Sequence, residues 1–113
     1  MAENSKVREV TDQNFADEIE GRNGLSMVDF WATWCAPCRM VAPFVEQLAD
    51  EYDDEQLRVG KMDVDNNPSV PARFGVRSIP SILFFKGGEM VDSVIGAVPK
   101  AHLEEKIQKH IGG

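Results

Sequence analysis

Asp29-Phe30-Trp31-Ala32-Thr33-Trp34-Cys35-Ala36-Pro37-Cys38 joins an apolar stretch of the chain to its only two cysteines. Residues 25–31, which lead into it, are apolar on both alternating faces apart from Ser26 and Asp29. That is the pattern of a strand covered on both sides in the middle of a sheet. Beyond the cysteines, Val41, Phe44, Val45, Leu48 and Tyr52 recur at the three-and-four spacing of one helical face, which predicts a helix over 36–52. Pro43 lies inside this stripe without shifting its phase, so it should bend the helix and not end it. Residues 57–64 read as the next strand, and strand, helix and strand form a right-handed crossover unit with parallel strands.

Outward from this unit the pattern continues. On the N-terminal side, 7–10 is a short strand, Thr11 and Asp12 are candidate caps, and 15–19 is weakly helical. On the C-terminal side, Pro68 early and Gly75 late bracket a helix of about two turns. The runs 81–85 and 89–95 are apolar strands joined through Lys86-Gly87-Gly88, a glycine pair suited to a tight antiparallel hairpin. Pro99 opens a last helix with Leu103, Ile107 and Ile111 on one face and Glu105 and Lys109 as an outward i,i+4 pair. The order is βαβαβαββα, an α/β mixed sheet with helices able to cover both faces.

The 113 residues suit one domain, expected over 1–113, and 42% hydrophobic against 27% charged residues is an ordinary globular balance. Nineteen acidic against twelve basic side chains leave a net charge of −7. This sign is wrong for neutralising phosphate and unfavourable beside anionic lipid, so neither nucleic acid nor membrane is an expected partner. Solubility is a sufficient reason for such a charge. The N-terminal Met1-Ala2-Glu3-Asn4-Ser5-Lys6-Val7 has no apolar signal core, and no apolar run approaches the ~18 residues of a membrane helix. The expectation is a cytoplasmic protein, in a compartment that disfavours structural disulfides.

Cys35 and Cys38 stand where the central strand gives way to its crossover helix. As a staple the pair would be wasted, because two intervening residues offer almost no loop entropy. A zinc site needs further ligands, and His102 and His110 lie eight apart on the last helix, about two turns or ~12 Å, so no metal is expected. A reversible redox pair remains. With Cys35 at the helix N-cap, its thiolate faces the positive end of the helix dipole and the Cys38 N–H, while Pro37 stiffens the first turn at little cost. Cys35 is therefore read as the attacking sulfur and Cys38, one turn in and more buried, as the resolving one.

Asp29 is a carboxylate in an apolar strand. Periodicity leaves open whether it is buried with a raised pKa behind the resolving thiol, reaches solvent, or pairs with Lys61 on the neighbouring strand. In the first case it accepts the resolving thiol's proton through a water, with Lys61 as its tuner. Trp31 reads as core packing. Trp34 is either a lid on the sulfurs or partly buried bulk, and Ala36, Pro37, Ile79, Ile95 and Ala97 make a candidate apolar patch on which an extended peptide docks.

Nearly the whole chain resembles the thioredoxin family. The likeness runs through Asp29-Phe30-Trp31-Ala32, Trp34-Cys35-Ala36-Pro37-Cys38, Arg39-Met40-Val41-Ala42-Pro43, Lys61, Ile79-Pro80, Lys86-Gly87-Gly88 and Gly96-Ala97. The resemblance implies a five-stranded mixed sheet flanked by four helices and a protein-disulfide reductase without a bound cofactor. It implies that Cys35 is nucleophilic, Cys38 resolving, and Asp29 and Lys61 buried beneath. Pro80 should be cis and face the cysteines, with the Ile79 backbone pairing a substrate segment by strand addition. Disulfide-containing proteins are the implied substrates, and an NADPH-dependent flavoprotein reductase the implied source of electrons for a monomeric carrier. A lowered thiol pKa and a reducing potential are familiar properties of that family. The family's commonest dipeptide between the cysteines is Gly-Pro, and this chain has Ala-Pro. Ala is the better helix former by up to ~1 kcal/mol, but its methyl adds bulk beside the attacking sulfur. Two competing functions remain: an oxidant with the same pair, and a binding clamp indifferent to redox state.

Overall fold

The alternation along residues 25–31 decides the layers. In a computed structural model, which describes residues 5–112, Leu25 and Met27 turn to one side of the sheet and Val28 and Phe30 to the other. Met1–Asn4 of the N-terminal stretch and Gly113, both within the expected 1–113 domain, lie outside the described residues. The elements are β1 (Arg8–Glu9), α1 (Ala16–Glu20), β2 (Leu25–Trp31), α2 (Ala36–Glu51), β3 (Leu57–Asp63), α3 (Ser69–Arg73), β4 (Ser81–Lys86), β5 (Glu89–Ile95) and α4 (Lys100–His110). This is the expected βαβαβαββα order.

The five strands stand in the order β1-β3-β2-β4-β5. β3 runs parallel to both β1 and β2, whereas β4 is antiparallel to β2 and β5. On one face Val41, Val45 and Leu48 of α2 and Leu103 and Ile107 of α4 pack on Leu25, Met27, Val59, Ile82 and Phe84. On the other, Phe15 and Ile19 of the α1 region and Val70 of α3 pack on Val28, Phe30, Met62, Leu83 and Phe85. The central strand is thus covered on both sides, as its composition requires. The β4–β5 turn holds both Gly87 and Gly88 at positive φ (60° and 83°), the backbone of a two-residue hairpin whose twist matches its strands.

Four local expectations need correction. Of the strand expected over 7–10, only Arg8 and Glu9 stand in register opposite Gly60 and Lys61 of β3, and Val10 adds one more bond, its N–H donating to the Lys61 carbonyl at 2.9 Å, before the chain leaves this sheet edge. Tyr52 is extended and ends α2 where the expected helix included it. Asp12 does not cap the nearest helix: its carboxylate accepts from the Ser69 and Val70 N–H groups at 3.0 and 2.9 Å, capping α3, whose own N-cap Pro68 has no side chain to do so. Finally, the Glu105–Lys109 pair makes no ion contact among the described residues: on α4 the ion contacts come from Lys100, to Glu51 of α2, and from Lys106 and His110, both to Asp92 of β5.

Candidate active site

The sheet ends and α2 begins within five residues, which places the cysteines where backbone N–H groups are unpaired. Cys35 is the N-cap, with extended backbone (φ −92°, ψ 105°), and its Sγ accepts from the Cys38 N–H at 3.2 Å. Pro37 occupies the first turn, and the helix continues through Pro43 to Glu51. Cys35 and Cys38 form a disulfide with Cα atoms 5.3 Å apart. The expected difference in burial between them is not seen: both are 3% exposed. Bonded to each other, the two sulfurs lie under one apolar cover, in which Ile79, Val64 and Trp31 pack on Ala32, Cys35 and Cys38. Position on the helix, not burial, distinguishes them.

The Ile79–Pro80 peptide is cis, and the Pro80 carbonyl accepts from the Gly96 N–H at 2.8 Å. That bond fastens the residues after β5 to the loop before β4. Ile79 packs on the two cysteines, and Ile95, at the end of β5, is 67% exposed.

Beneath the pair is a cavity of about 320 Å³ lined by Asp29, Trp31, Ala32, Thr33, Cys38, Arg39, Ala42 and Lys61. Asp29 and Trp31 share the α2-facing side of β2, and Lys61 is the direct neighbour of Asp29 on β3. Asp29 is buried, which removes the solvent-reaching alternative. Burial pushes its carboxyl up to about 7, and the positive charge of Lys61 opposes that rise without cancelling it. The two do not close into a direct contact: Asp29 Oδ1 lacks a hydrogen-bond partner, and Lys61 Nζ sits 4.9 Å from the centre of the Trp31 ring. Trp31 is therefore more than the core packing its sequence position suggested.

Trp34, read from sequence as either a lid on the sulfurs or partly buried bulk, stands at the surface. It is 67% exposed, and its Nε1–H donates to Asp65 Oδ2 at 2.8 Å. With Val64, Pro71, Val76, Arg77, Ser78 and Ile79 it lines a shallow cavity of about 170 Å³. On the other side of the Ile79 loop, Ile95 lines a groove of about 220 Å³ with Phe74, Arg77, Leu83 and Met90 among others. Ala36 and Pro37 are exposed at the start of α2. Ala97 is exposed one residue past Gly96. Asp65, Val64 and Arg77 were not singled out from sequence; Asp65 is 31 residues from the indole it anchors, and no spacing rule links them. Among the described residues no three His, Cys, Asp or Glu side chains gather as metal ligands. No helix of the described residues is long and apolar enough to cross a membrane.

Residues 6–109 match the family model described as Thioredoxin. The chain is 47% identical over 107 residues to Thioredoxin of Chlorobaculum thiosulfatiphilum, covering 95% of this chain and 98% of that one. It is 52% identical over 105 residues to Thioredoxin of Staphylococcus saprophyticus, covering 93% and 98%. Thioredoxin 1 of a Nostoc species is 46% identical over 107 residues, covering 95% and 99%.

Proposed function

Because this chain belongs to the thioredoxin family and is a thiol–disulfide oxidoreductase that reduces protein disulfides, we propose how its two sulfurs divide the work. The observation that carries the reading is the N-cap geometry: one sulfur of a closed pair accepts the Cys38 N–H at the helix start, the place that best stabilises a thiolate. The Cys35 thiolate attacks one sulfur of a substrate disulfide and forms a mixed disulfide with it, while the substrate's own S–S bond breaks and its other sulfur leaves as a thiolate. Cys38, deprotonated as Asp29 takes up a proton across the shared cavity, attacks Cys35 Sγ. The Cys35–Cys38 bond forms, the bond from Cys35 to substrate breaks, and the substrate leaves as a thiolate.

The substrate segment docks on Trp34, Ala36, Pro37, Ile79 and Ile95, with Pro80, Gly96 and Ala97 shaping the loop beneath it, and the Ile79 backbone pairs with it as an added strand. A flavoprotein reductase returns the pair to the dithiol with electrons from NADPH. The protein acts as a single domain and a monomer in the cytoplasm, where reducing equivalents are plentiful. The family match supports these last assignments, and the family's chemistry needs no bound cofactor.

Cys38→Ser should accumulate a stable mixed disulfide with a disulfide-containing protein, and Cys35→Ser should not. Non-reducing electrophoresis followed by peptide mapping reads this directly; equal trapping by both variants would overturn the division of labour. An insulin-reduction assay with NADPH and a cognate reductase tests the electron source, and failure of turnover there removes the reductase from the scheme.

A further inference from the structure

Two buried side-chain polar atoms among the described residues lack a hydrogen-bond partner: Asp29 Oδ1 and Trp31 Nε1. Both residues line the same 320 Å³ cavity, together with Cys38. They stand two apart on β2 and so share a face. Their chemistry is complementary, since an ionised carboxylate only accepts and an indole nitrogen only donates. Buried polar groups are rarely left unpaired, and water is the usual partner where a cavity is polar and exceeds the ~15 Å³ one molecule occupies.

We propose that Trp31 is a positioning residue for the resolving step, its indole N–H holding an ordered water so that one of that water's hydrogens is aimed at Asp29 Oδ1. Trp31 occupies one lone pair of the water. The other lone pair is left to receive the proton of the Cys38 thiol. As Cys38 gives up that proton, the water passes one of its own to the Asp29 carboxylate, and Cys38 becomes the thiolate that closes the disulfide. Lys61, the nearest cation from β3, is drawn over the Trp31 ring and not onto the carboxylate, which leaves Oδ1 free for the water. Arg39 brings the other cation that lines the cavity, from α2, while the β4 residue opposite Asp29 is the uncharged Ile82.

This inference rests on the reading of Asp29 as proton acceptor, and NMR separates the two. In the intact chain the Trp31 indole N–H resonance should shift with pH at the midpoint of the Asp29 carboxyl carbon, and Asp29→Asn should abolish that shift. The indole of Trp34, bonded to Asp65, supplies the reference signal. Trp31→Phe keeps an aromatic ring under Lys61 and removes the donor. It should raise the Asp29 midpoint by about half a unit to one unit, the scale of one lost hydrogen bond to a charged group. The pH profile of substrate release should move with it. A Trp31 indole signal indifferent to Asp29 ionisation overturns the proposal, as does an unmoved Asp29 midpoint in Trp31→Phe. If the midpoint moves and the release profile stays, it is the catalytic reading of Asp29 that fails, and Trp31's part in the step fails with it.

Discussion

Asp29 is the residue at which folding and the proposed chemistry oppose each other most directly. Its folded-state carboxyl titrates at about 7, against ~3.9 in an unfolded chain, so between those values the folded protein binds the extra proton. Stability therefore falls as pH rises from about 4 to about 7, and above 7 the full cost of a buried charge is present. Asp29→Ala should stabilise the protein at pH 9 by a few kcal/mol and lose that advantage near pH 4, which thermal melts at the two pH values would show. In the wild type, release of reduced substrate should accelerate as pH rises through about 7, while Asp29→Ala should be slower at neutral pH and flat across that range. A release profile identical in the two proteins would remove Asp29 from the mechanism. On the proposed mechanism, the acid whose burial destabilises the fold is the one that serves the exchange step.

At the scale of elements, α3 and its connection to the site depend on a contact from far along the chain. Asp12 accepts from two N–H groups at the start of α3, and that helix leads directly into the loop that carries Ile79 and Pro80. Asp12→Ala should cost about 1 kcal/mol, the usual worth of a helix cap, and lower the melting temperature by about 4 °C. Because α3 packs Val70 into the core beside Ile79, the same variant should also weaken substrate binding more than it slows the chemical step, seen as a rise in KM at nearly constant kcat. The β1–β3 contact is equally particular. A Cβ on Gly60 would come within 2.5 Å of Val10 Cγ2, so glycine is what lets the edge strand lie this close.

Across the whole molecule, α4 is fastened to the sheet by charge as well as by Leu103 and Ile107. Asp92 of β5 meets His110 Nε2 at 2.9 Å and Lys106 Nζ at 3.2 Å. Burial works against its ionisation, but the bonds from His110, Lys106 and the Ser93 N–H outweigh it and hold the carboxyl down at about 2. A depressed carboxyl contributes stability above ~4, and that contribution is lost as pH falls toward 2. Asp92→Asn should therefore unfold more easily at pH 7, by about 1 kcal/mol, and match the parent near pH 2 in a denaturant titration. A deficit that persists at pH 2 would assign the loss to packing. Lys86 reinforces the same end of α4 by donating to the His110 carbonyl at 2.6 Å.

The element order, the parallel crossover through β2 and β3, the glycine hairpin and the position of Cys35 at a helix start were all legible along the chain. Each depends on a period of two or of 3.6, on a residue with restricted backbone geometry, or on neighbours a few positions apart. The opening stretch Asp29 to Cys38 thus determined by itself where sheet meets helix and which two sulfurs sit there. It did not determine how deep each sulfur lies, that Asp12 caps α3, that Asp65 anchors Trp34, or that Lys61 sits on the Trp31 ring. Those facts join residues that the chain separates by 30 positions or more. Only the tertiary structure decided them, because burial and the partner of a polar group depend on what the other strands and helices bring alongside. Periodicity left the state of Asp29 open for the same reason: a carboxylate on a strand is ionised, paired or protonated according to the dielectric and the charges around it, and here those are set by β3 and α2 closing over it.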